Sequence, residues 1–350
     1  MQSDKNEFSK LSICIATYNR GIYVGETLDS ILVQLQPNIE IIVVDGASPD
    51  NTQEVMEQYM SSHTQIRYYR ELENSGIDRD YDKAVGYARG EYCWLMTDDD
   101  ILCSGAVSRI LNALNENHDL IVVNAEVRNT DFSILLKERL LDIATDKQYE
   151  AKDCEKFFTE AANYLSFIGG VVIKRKLWLE RDRSSYYGTQ FVHIGVIFQH
   201  PPLERVRIIS EPLIIIRYGN SMWKPQSFDV WVLQWSCLIS SFSDFSDEAK
   251  QNISSCDPWR QIKNLIYYRA IGVYSVEEYH KFLPNQTLSL VRIVAYIISI
   301  FPGSWANFIV ILYQSLFKKS PLIALHDLKC CPNSSSVGRL WLRIIGLGNI

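Results

Sequence analysis

The sequence predicts an α/β protein in which a mostly parallel sheet, flanked by helices, is followed by a helical C-terminal region. Two observations support this fold class. Short apolar runs rich in β-branched residues, of which residues 11–16 (LSICIA) are the first, alternate with segments whose apolar residues recur at helical spacing. Beyond about residue 225 the strand pattern disappears, and helical spacing remains.

The elements follow one another in a regular order. The first predicted strand, 11–16, leads into a helix over 24–35, and Pro37 and Asn38 end that helix before a second strand over 39–44. Because alternating elements of this kind form a mostly parallel sheet, we expect ligands at the carboxyl ends of the strands. The pattern continues with a helix from about 52 to Met60, a strand at 66–69, a helix at 81–88, and strands at 92–96 and 120–124.

The composition limits the class of protein. The chain has 350 residues, 47% of them apolar, and 35 Lys and Arg against 41 Asp and Glu give a net charge of −6. This length exceeds what one core usually supports, so we predict a large domain over 1–224 and a helical region over 225–350. A mildly acidic chain does not favour nucleic acid as a partner. Eight cysteines without a Cys-x-x-Cys pair argue against structural zinc, and a polar N-terminal segment indicates a cytosolic protein.

Three polar clusters follow predicted strands, at Thr17–Arg20, Asp45–Asp50 and Thr97–Asp100. Neither GxGxxG nor GxxxxGK[ST] occurs in the sequence, so a bound phosphate would have to be neutralised without a glycine-rich loop. The aspartates 98–100 place three like charges after a buried strand, and their hard oxygens suit Mg²⁺ or Mn²⁺. The triplet therefore predicts a metal that bridges a diphosphate. The alternative is that the triplet caps the helix beginning near Ser104 or faces solvent.

Several ordered motifs between residues 11 and 220 resemble the inverting nucleotide-sugar glycosyltransferases of family 2, which have the GT-A fold. They are SICIATYNR, ETLDSILVQ, IEIIVVDGASPDNT, the Asn74-Ser75-Gly76 turn, ARGEY and WLMTDDD. The stretch GIDRDYDKAVGYARGEYCWLMTDDD is similar to the subgroup of bacterial O-antigen sugar transferases that includes abequosyltransferases. The resemblance implies a nucleoside-diphosphate sugar as donor, Mg²⁺ or Mn²⁺ as cofactor, and a polyprenyl-diphosphate-linked glycan as acceptor.

The resemblance also implies roles for the polar clusters. Thr17, Asn19 and Arg20 would lie beside the nucleotide, together with the turn at Asn74 and Gly76. Asp45 would accept a hydrogen bond from the base, as a charged acceptor does well; a turn-forming Asp before Gly46 is the alternative. The remaining assignments are Asp98 on the ribose or phosphate side, Asp99 as the principal metal ligand, and Asp100 as the metal ligand if the motif is Asp98-x-Asp100.

Basic and aromatic side chains offer further contacts to the donor. Arg79 and Lys83 could neutralise the diphosphate, or they could belong to an exposed helix face. The run Arg207–Tyr218 predicts a short strand pair, from which Arg217 could reach the diphosphate or the sugar. Trp223 could stack on a sugar ring, although it and Arg217 could also simply pack.

An inverting transfer needs a general base for the acceptor hydroxyl, and family 2 usually takes it from a Glu-Asp motif. Here the segment YYGTQFVHIGVIFQ has no such pair at the expected place, and His193 stands at the corresponding position. Histidine is suited to accept a proton near neutral pH, but a single His on an apolar helix is also a common core residue. Asp182 and Glu180 are the reserve candidates.

The C-terminal region predicts helices near 231–239, 259–273 and 275–282, the last with a Ser275/Glu278 capping box. Residues 288–317 are apolar but broken at Pro302-Gly303, which disfavours a spanning helix and suits either shallow insertion into one leaflet or a buried hairpin. Residues 279–350 carry seven Lys and Arg and one acidic residue, a charge of 7 − 1 = +6. We therefore expect a peripheral protein at the inner face of the cell membrane.

These features together predict an inverting, metal-dependent transferase that acts on a lipid-linked oligosaccharide in O-antigen-like synthesis. Because the Glu-Asp pair is missing, a catalytically idle protein that binds nucleotide-sugar or glycan on the same fold is the main alternative. A nucleotidyltransferase is a third possibility, although it would normally have a glycine-rich phosphate loop after Ala16.

Overall fold

The structure, a computed structural model, describes residues 9–220, 228–254, 258–283, 290–319, 321–348 and 350. Within these residues the chain forms two compact units. The first comprises residues 9–127, 138–217 and 242–249, and the second comprises 128–137, 218–241 and the described parts of 250–350.

Within the described residues, ten strands form one mixed sheet. They are β1 (Leu11–Thr17), β2 (Ile39–Asp45), β3 (Ile66–Arg70), β4 (Tyr92–Met96), β5 (Ile101–Leu102), β6 (Leu120–Asn129), β7 (Leu135–Lys137), β8 (Lys147–Glu150), β9 (Val171–Lys174) and β10 (Arg205–Tyr218). The helices of the first unit are α1 (Val24–Leu32), α2 (Thr52–Ser62), α3 (Ile77–Tyr87), α4 (Ala106–Leu114), α5 (Cys154–Leu165), α6 (Arg175–Glu180) and α7 (Val192–Phe198).

The order of strands along the sheet is β3-β2-β1-β4-β9-β6-β10-β5, with β8 paired to the first part of β10. Strands β3, β2, β1 and β4 are parallel neighbours, whereas β9 runs antiparallel to both β4 and β6. The α/β fold class is confirmed, but the sheet is less parallel than predicted, because β9 and β10 form antiparallel pairs with their neighbours. Apolar periodicity reports that a strand is buried and carries no information about its direction.

The continuous apolar runs are explained by burial on both faces of the sheet. Every residue of β1, β2 and β4 is buried, and α1 and α4 cover them with residues such as Leu28, Ile31, Val107 and Ile110. The apolar residues of α1 recur at helical spacing, so one face of this helix is apolar and the other is polar. This packing holds the loops after β1, β2 and β4 next to one another.

The predicted strand pair over Arg207–Tyr218 is wrong, because this segment belongs to a single strand of 14 residues. Its first part pairs with β8 through Arg205–Ile208, and a later part pairs with β5 through Ile214 and Ile215. Pro212 lies between these two pairing regions and has no backbone N–H to donate. The strand therefore changes partners without ending.

The second unit is helical, as predicted, apart from β7. Ser275 accepts from the backbone N–H of Glu277 and shares a capping box with Glu278, as expected. The break at Pro302-Gly303 is confirmed, and the two helices beside it are bent by 102°. No single described helix is long and apolar enough to cross a membrane. The two helices of this bent pair reach the necessary length and apolar composition only when they are taken together. The helices are α8 (Trp235–Ser241), α9 (Asp247–Ile253), α10 (Ile262–Ile271), α11 (Val276–Phe282), α12 (Leu290–Ile300), α13 (Gly303–Phe317), α14 (Leu322–Cys330) and α15 (Ser336–Ile344), with a π-helical turn at Asp229–Gln234 before α8.

Candidate active site at the carboxyl edge of the sheet

The three polar clusters meet at one edge of the parallel strands. Thr17, the last residue of β1, pairs in register with Asp45 at the end of β2, and Met96 at the end of β4 pairs with Ile15. The loops that follow therefore begin side by side. We call this region the carboxyl edge, and the opposite ends of the same strands the amino edge.

Two aspartates and one arginine form the centre of the carboxyl edge. The Arg20 guanidinium lies 3.7 Å from Asp98 Oδ1 and 3.5 Å from Asp99 Oδ2, and all three side chains are nearly buried. Burial and the neighbouring Asp99 charge raise the pKa of Asp98 to about 7, although Arg20 acts in the opposite direction. Two like charges and one guanidinium thus lie close together in a nearly buried place.

Asp100 points away from this pair and braces the loop. Its carboxylate accepts hydrogen bonds from the Thr97 hydroxyl and from the backbone N–H of Arg217, the latter at 2.8 Å, and it is 2% exposed. Its backbone carbonyl accepts from Thr27 on α1. Burial raises the pKa of Asp100 well above the usual range of a carboxyl. Asp98 and Asp99 are therefore the members of the triplet that approach Arg20.

Arg217 lies beside the triplet and is also committed to internal contacts. Its Nε donates to the Asp99 carbonyl at 2.9 Å, its Nη2 pairs with Glu26, and its guanidinium lies 4.9 Å from the Tyr23 ring centroid. Because three neighbours hold this side chain, it fixes the backbone of the acidic loop. Trp223 lies outside the described residues.

Asp45 has no exposed surface, and its oxygens are used within the protein. Oδ1 accepts from the backbone N–H and the hydroxyl of Ser48, while Oδ2 accepts from the Tyr68 hydroxyl at 2.6 Å and lies 3.8 Å from Arg70 Nε. These contacts form the turn that the sequence left open as an alternative to base recognition.

The other predicted donor contacts divide into exposed and internal groups. Asn19 is exposed in a left-handed conformation with φ of 57°, and Thr17 is buried beneath it. Asn74 is also exposed, and its Oδ1 accepts from the Gly76 N–H. Lys83 is partly exposed, and its Nζ donates to Glu71 at 2.7 Å and to Ser75.

Arg79 is exposed on the first turn of α3, and its guanidinium lies 4.7 Å from the Tyr187 ring centroid. The same turn carries Asp78 and Asp80, which the sequence analysis did not single out. Both are buried, and burial raises the pKa of Asp80 to about 6. Two acids in a first helical turn look like ordinary N-terminal charges, so the sequence offers no signal that they are buried.

The structure does not bring His193 to this edge as an accessible group. The side chain is 1% exposed, its Nε2 lies 2.7 Å from the Leu165 carbonyl, and burial lowers its pKa to about 4. Because the ring is enclosed and burial disfavours its protonated form, it is poorly placed to take a proton from a bound hydroxyl, and a core histidine stands at the expected base position. Its apolar neighbours on α7 are the reason for this burial.

The reserve candidates also have other partners. Asp182 Oδ1 accepts from Ser184 and from the Ser185 N–H, and these bonds lower its pKa, which makes it a weaker base. Glu180 is exposed and lies 3.7 Å from Lys176 one helical turn away. Each of these contacts is local to its own segment.

The acidic pair fits a divalent cation by its chemistry. Asp98 and Asp99 supply hard oxygen donors, and burial together with the Asp99 charge disfavours the ionised form of Asp98, which a cation would stabilise. In the described part of the chain, no cluster of three or more His, Cys, Asp or Glu side chains is arranged to hold a metal. A cation at this pair would therefore need further ligands from the substrate or water.

The proteins that this chain is similar to identify it as a glycosyltransferase. Residues 12–168 match the family described as Glycosyl transferase family 2, so the chain carries a domain of that family. Abequosyltransferase RfbV of Salmonella typhimurium is 29% identical over 231 residues, which cover 61% of this chain and 68% of that protein. A GalNAc(5)-diNAcBac-PP-undecaprenol beta-1,3-glucosyltransferase of Campylobacter jejuni is 31% identical over 110 residues, which cover 31% of this chain and 36% of that protein.

Solved structures agree with the fold. TarS 1-349 of S. aureus has a TM-score of 0.56 at 15% sequence identity, with 95% of this chain and 91% of that chain covered. Crystal structures of the same TarS fragment with UDP and with UDP-GlcNAc give TM-scores of 0.53 and 0.51. At this identity the similarity concerns the fold alone.

Proposed function

We propose that the protein is an inverting, metal-dependent transferase that moves a sugar from a nucleoside-diphosphate donor to a polyprenyl-diphosphate-linked glycan. The observation that carries this proposal is the Asp98–Asp99 pair with Arg20 at the end of β4. Two relatives support it by name, one an abequosyltransferase and one that acts on an undecaprenol-linked glycan. The product would enter a bacterial surface polysaccharide such as O-antigen.

The proposed nucleotide site follows the loops after β1, β2 and β3. Asn19 exposes its amide at this edge, and Asn74 lies near Gly46, where an added Cβ would stand 3.5 Å from Asn74 Oδ1 and 2.8 Å from Asp80 Oδ2. Only a glycine fits this gap without displacing a buried carboxylate. The binding of UDP and UDP-GlcNAc by TarS supports a nucleotide-sugar donor here.

Asp98 and Asp99 are the residues that would hold Mg²⁺ or Mn²⁺, while Asp100 keeps its bracing contacts. When bound, the metal would neutralise negative charge on the departing diphosphate. Arg20 contributes fixed positive charge from the β1 side. Arg217 holds the Asp99 backbone, so the acidic pair needs little reorganisation when the donor arrives.

One observation favours the alternative of a protein that binds the donor without transferring it. The burial of His193 leaves the expected base position without an accessible proton acceptor. Binding and transfer are separable in a single set of measurements.

The decisive experiment is a donor screen followed by a transfer assay. Thermal unfolding with UDP-, CDP-, GDP- and dTDP-sugars, each with Mn²⁺, Mg²⁺ or EDTA, should show stabilisation by one nucleotide that depends on metal. That donor is then incubated with synthetic undecaprenyl-diphosphate-linked glycans. Sugar transfer supports the proposal. Stabilisation by the donor with neither transfer nor donor hydrolysis supports the idle protein. The absence of both stabilisation and transfer overturns the function.

We also propose that the second unit binds the inner face of the cell membrane. Helices α12 and α13 expose large apolar side chains, and Lys318 and Lys319 follow them exposed to solvent. Exposed apolar surface with cationic residues beside it is suited to binding an anionic lipid surface. The exposed apolar residues are Leu290, Ile293, Ile297 and Ile300 on α12, and Trp305, Ile309, Leu316 and Phe317 on α13.

Vesicle sedimentation tests this membrane contact. The protein should sediment with phosphatidylglycerol-containing vesicles at low salt, and Phe317→Ser or Trp305→Ser should weaken binding several-fold. Val33→Ser is the matched control, because Val33 is an equally exposed apolar residue on the first unit. Equal binding by all four proteins, or none by the wild type, would refute the membrane contact and leave the transferase proposal intact.

A further inference from the structure

One segment of the first unit is held at the carboxyl edge by a single buried carboxylate. Asp78, the second residue of α3, is 4% exposed. Its Oδ2 accepts from the backbone N–H groups of Gly188 and Gln190, both at 2.8 Å, and its Oδ1 accepts from Val192 N–H at 3.0 Å. Three donors from five consecutive residues thus converge on one side chain from a distant part of the chain.

This segment lies beside the candidate active site. The first turn of α3 is at the carboxyl edge, because Asp80 borders Gly46 in the loop after β2. Arg79, on the same turn, stacks on Tyr187 at the start of the segment. The Tyr187 hydroxyl in turn donates to Asp82. Contacts from α3 therefore hold residues 187–192 against the edge that carries the proposed donor site.

Gln190 is the residue of this segment whose conformation is unusual. Its φ of 66° lies in the left-handed region, which a side chain other than Gly, Asn or Asp rarely adopts. Its side-chain amide is partly exposed and, within the described residues, makes no hydrogen bond. Strain of this kind persists where surrounding contacts over-determine it, and it collects at functional sites. Asp78 supplies those contacts on both sides of Gln190.

We propose that Asp78 is a positioning residue that holds Gly188–Val192 as one wall of the acceptor site, with the Gln190 amide directed to the acceptor glycan. An amide both donates and accepts, as sugar hydroxyls require. Residues 188–192 include no basic side chain, so this segment by itself suits a neutral glycan better than a diphosphate. This inference rests on the proposed transferase function.

Two substitutions test the two parts of the inference. Gln190→Gly removes the amide and relieves the left-handed strain, so the midpoint of thermal unfolding should stay equal or rise. Asp78→Asn keeps the shape but places an NH₂ group against backbone donors, which should release the segment. For both variants we expect the KM for an undecaprenyl-diphosphate-linked glycan to rise about tenfold, with the Kd for UDP or the selected nucleotide within twofold of wild type.

Asp119→Asn is the matched control. Asp119 also accepts from two backbone N–H groups, those of Glu204 and Arg205, but it lies at the amino edge before β6. This variant should lose stability as Asp78→Asn does, while its acceptor KM stays unchanged.

The outcomes separate the inference from the proposed function. An unchanged acceptor KM in Gln190→Gly, or a rise in donor KM instead, overturns the inference while the transferase stands. If Asp78→Asn does not fold, Gln190→Gly decides the result alone. If the wild-type protein transfers no sugar to any glycan, the function fails and the inference fails with it.

Discussion

The two edges of the same parallel strands handle their carboxylates in opposite ways. At the amino edge, Glu40 accepts from Ser12 at 2.7 Å and from Arg67 at 2.9 Å, while Asp119 pairs with Lys174 at 2.9 Å. Hydrogen bonds to Lys174 and to backbone N–H groups outweigh burial and lower the pKa of Asp119. Acids here are neutralised by partners that were close to them once the strands formed.

At the carboxyl edge, burial and neighbouring acids raise the pKa values of Asp98 and Asp80. Burial raises the pKa of Asp98 to about 7 and that of Asp80 to about 6, and Arg20 stands 3.5 Å or more from both acids of the central pair. The comparison teaches that the acids of the amino edge stabilise the fold, whereas those of the carboxyl edge are buried at a cost in stability, as we expect of the proposed cation site. Four measurements test this difference.

The largest effect is expected from Asp99→Asn. It removes a proposed metal ligand and also a like charge beside Asp98, so transfer should fall about 1,000-fold while thermal stability without metal stays equal or rises. Steady-state transfer rates and thermal unfolding in EDTA give the two values. Asp119→Asn should instead lower thermal stability and leave the transfer rate unchanged. A transfer rate within tenfold of wild type in Asp99→Asn would contradict the proposed role.

The pH dependence of stability should differ between wild type and Asp98→Asn. An aspartate with a raised pKa binds its proton more tightly in the folded protein, so its contribution to stability is present below about pH 4 and is lost as the pH rises through about 7. Relative to Asp98→Asn, wild type should lose roughly 2 kcal/mol between pH 5 and pH 8. Chemical unfolding in EDTA measures the difference.

The comparison with the variant is necessary because other groups titrate in this window. Burial lowers the pKa of His193 and of His118, so both favour the folded state as the pH rises, whereas Asp80 acts in the same direction as Asp98. The contributions of these three groups are the same in wild type and in Asp98→Asn, so they cancel in the difference between the two pH profiles. Parallel pH profiles for wild type and Asp98→Asn would show that Asp98 is adequately neutralised.

A moderate effect is expected from Glu40→Gln at the amino edge. The substitution removes the charge that Arg67 and the Ser12 hydroxyl face, so the free energy of unfolding should fall by about 1.5 to 2 kcal/mol. Nucleotide affinity should remain within twofold of wild type, as measured by isothermal titration. A loss of affinity without loss of stability would remove the distinction between the edges.

The smallest effect concerns two asparagines in left-handed conformation. Asn19 at the carboxyl edge and Asn117 before β6 at the amino edge have φ of 57° and 58°. Changing either to Gly should alter stability by less than about 1 kcal/mol, because Gly adopts this conformation readily but is freer when unfolded. Only Asn19→Gly should weaken nucleotide binding, by a few-fold. Equal affinities in both variants would remove Asn19 from the donor site.

Much of the first unit follows from local sequence. Strands β1, β2 and β4 were predictable because their apolar runs are continuous, and the polar residues after them could be placed at one edge because parallel strands share an end. The break at Pro302-Gly303 and the capping box at Ser275 were predictable because each depends on residues a few positions apart.

The direction of β9 and the burial of His193 depend on contacts between distant segments. The histidine is enclosed because α7 packs where the Leu165 carbonyl of α5 meets its ring, a contact across 28 residues. The roles of Asp78 and Asp80 depend in the same way on a loop more than 100 residues away and on Gly46. Spacing within one element does not contain this information.

The sequence by itself determined the order of strands and helices, the edge at which polar residues gather, and the resemblance to family 2 glycosyltransferases. Tertiary structure decided that Asp100 faces inward and that Arg20 lies beside Asp98 and Asp99. It also decided which carboxylate holds the Gly188–Val192 segment. The physical reason is the separation along the chain over which each interaction acts. Hydrophobic periodicity and capping act within a few residues, whereas charge compensation and burial depend on whatever the completed fold brings within about 4 Å.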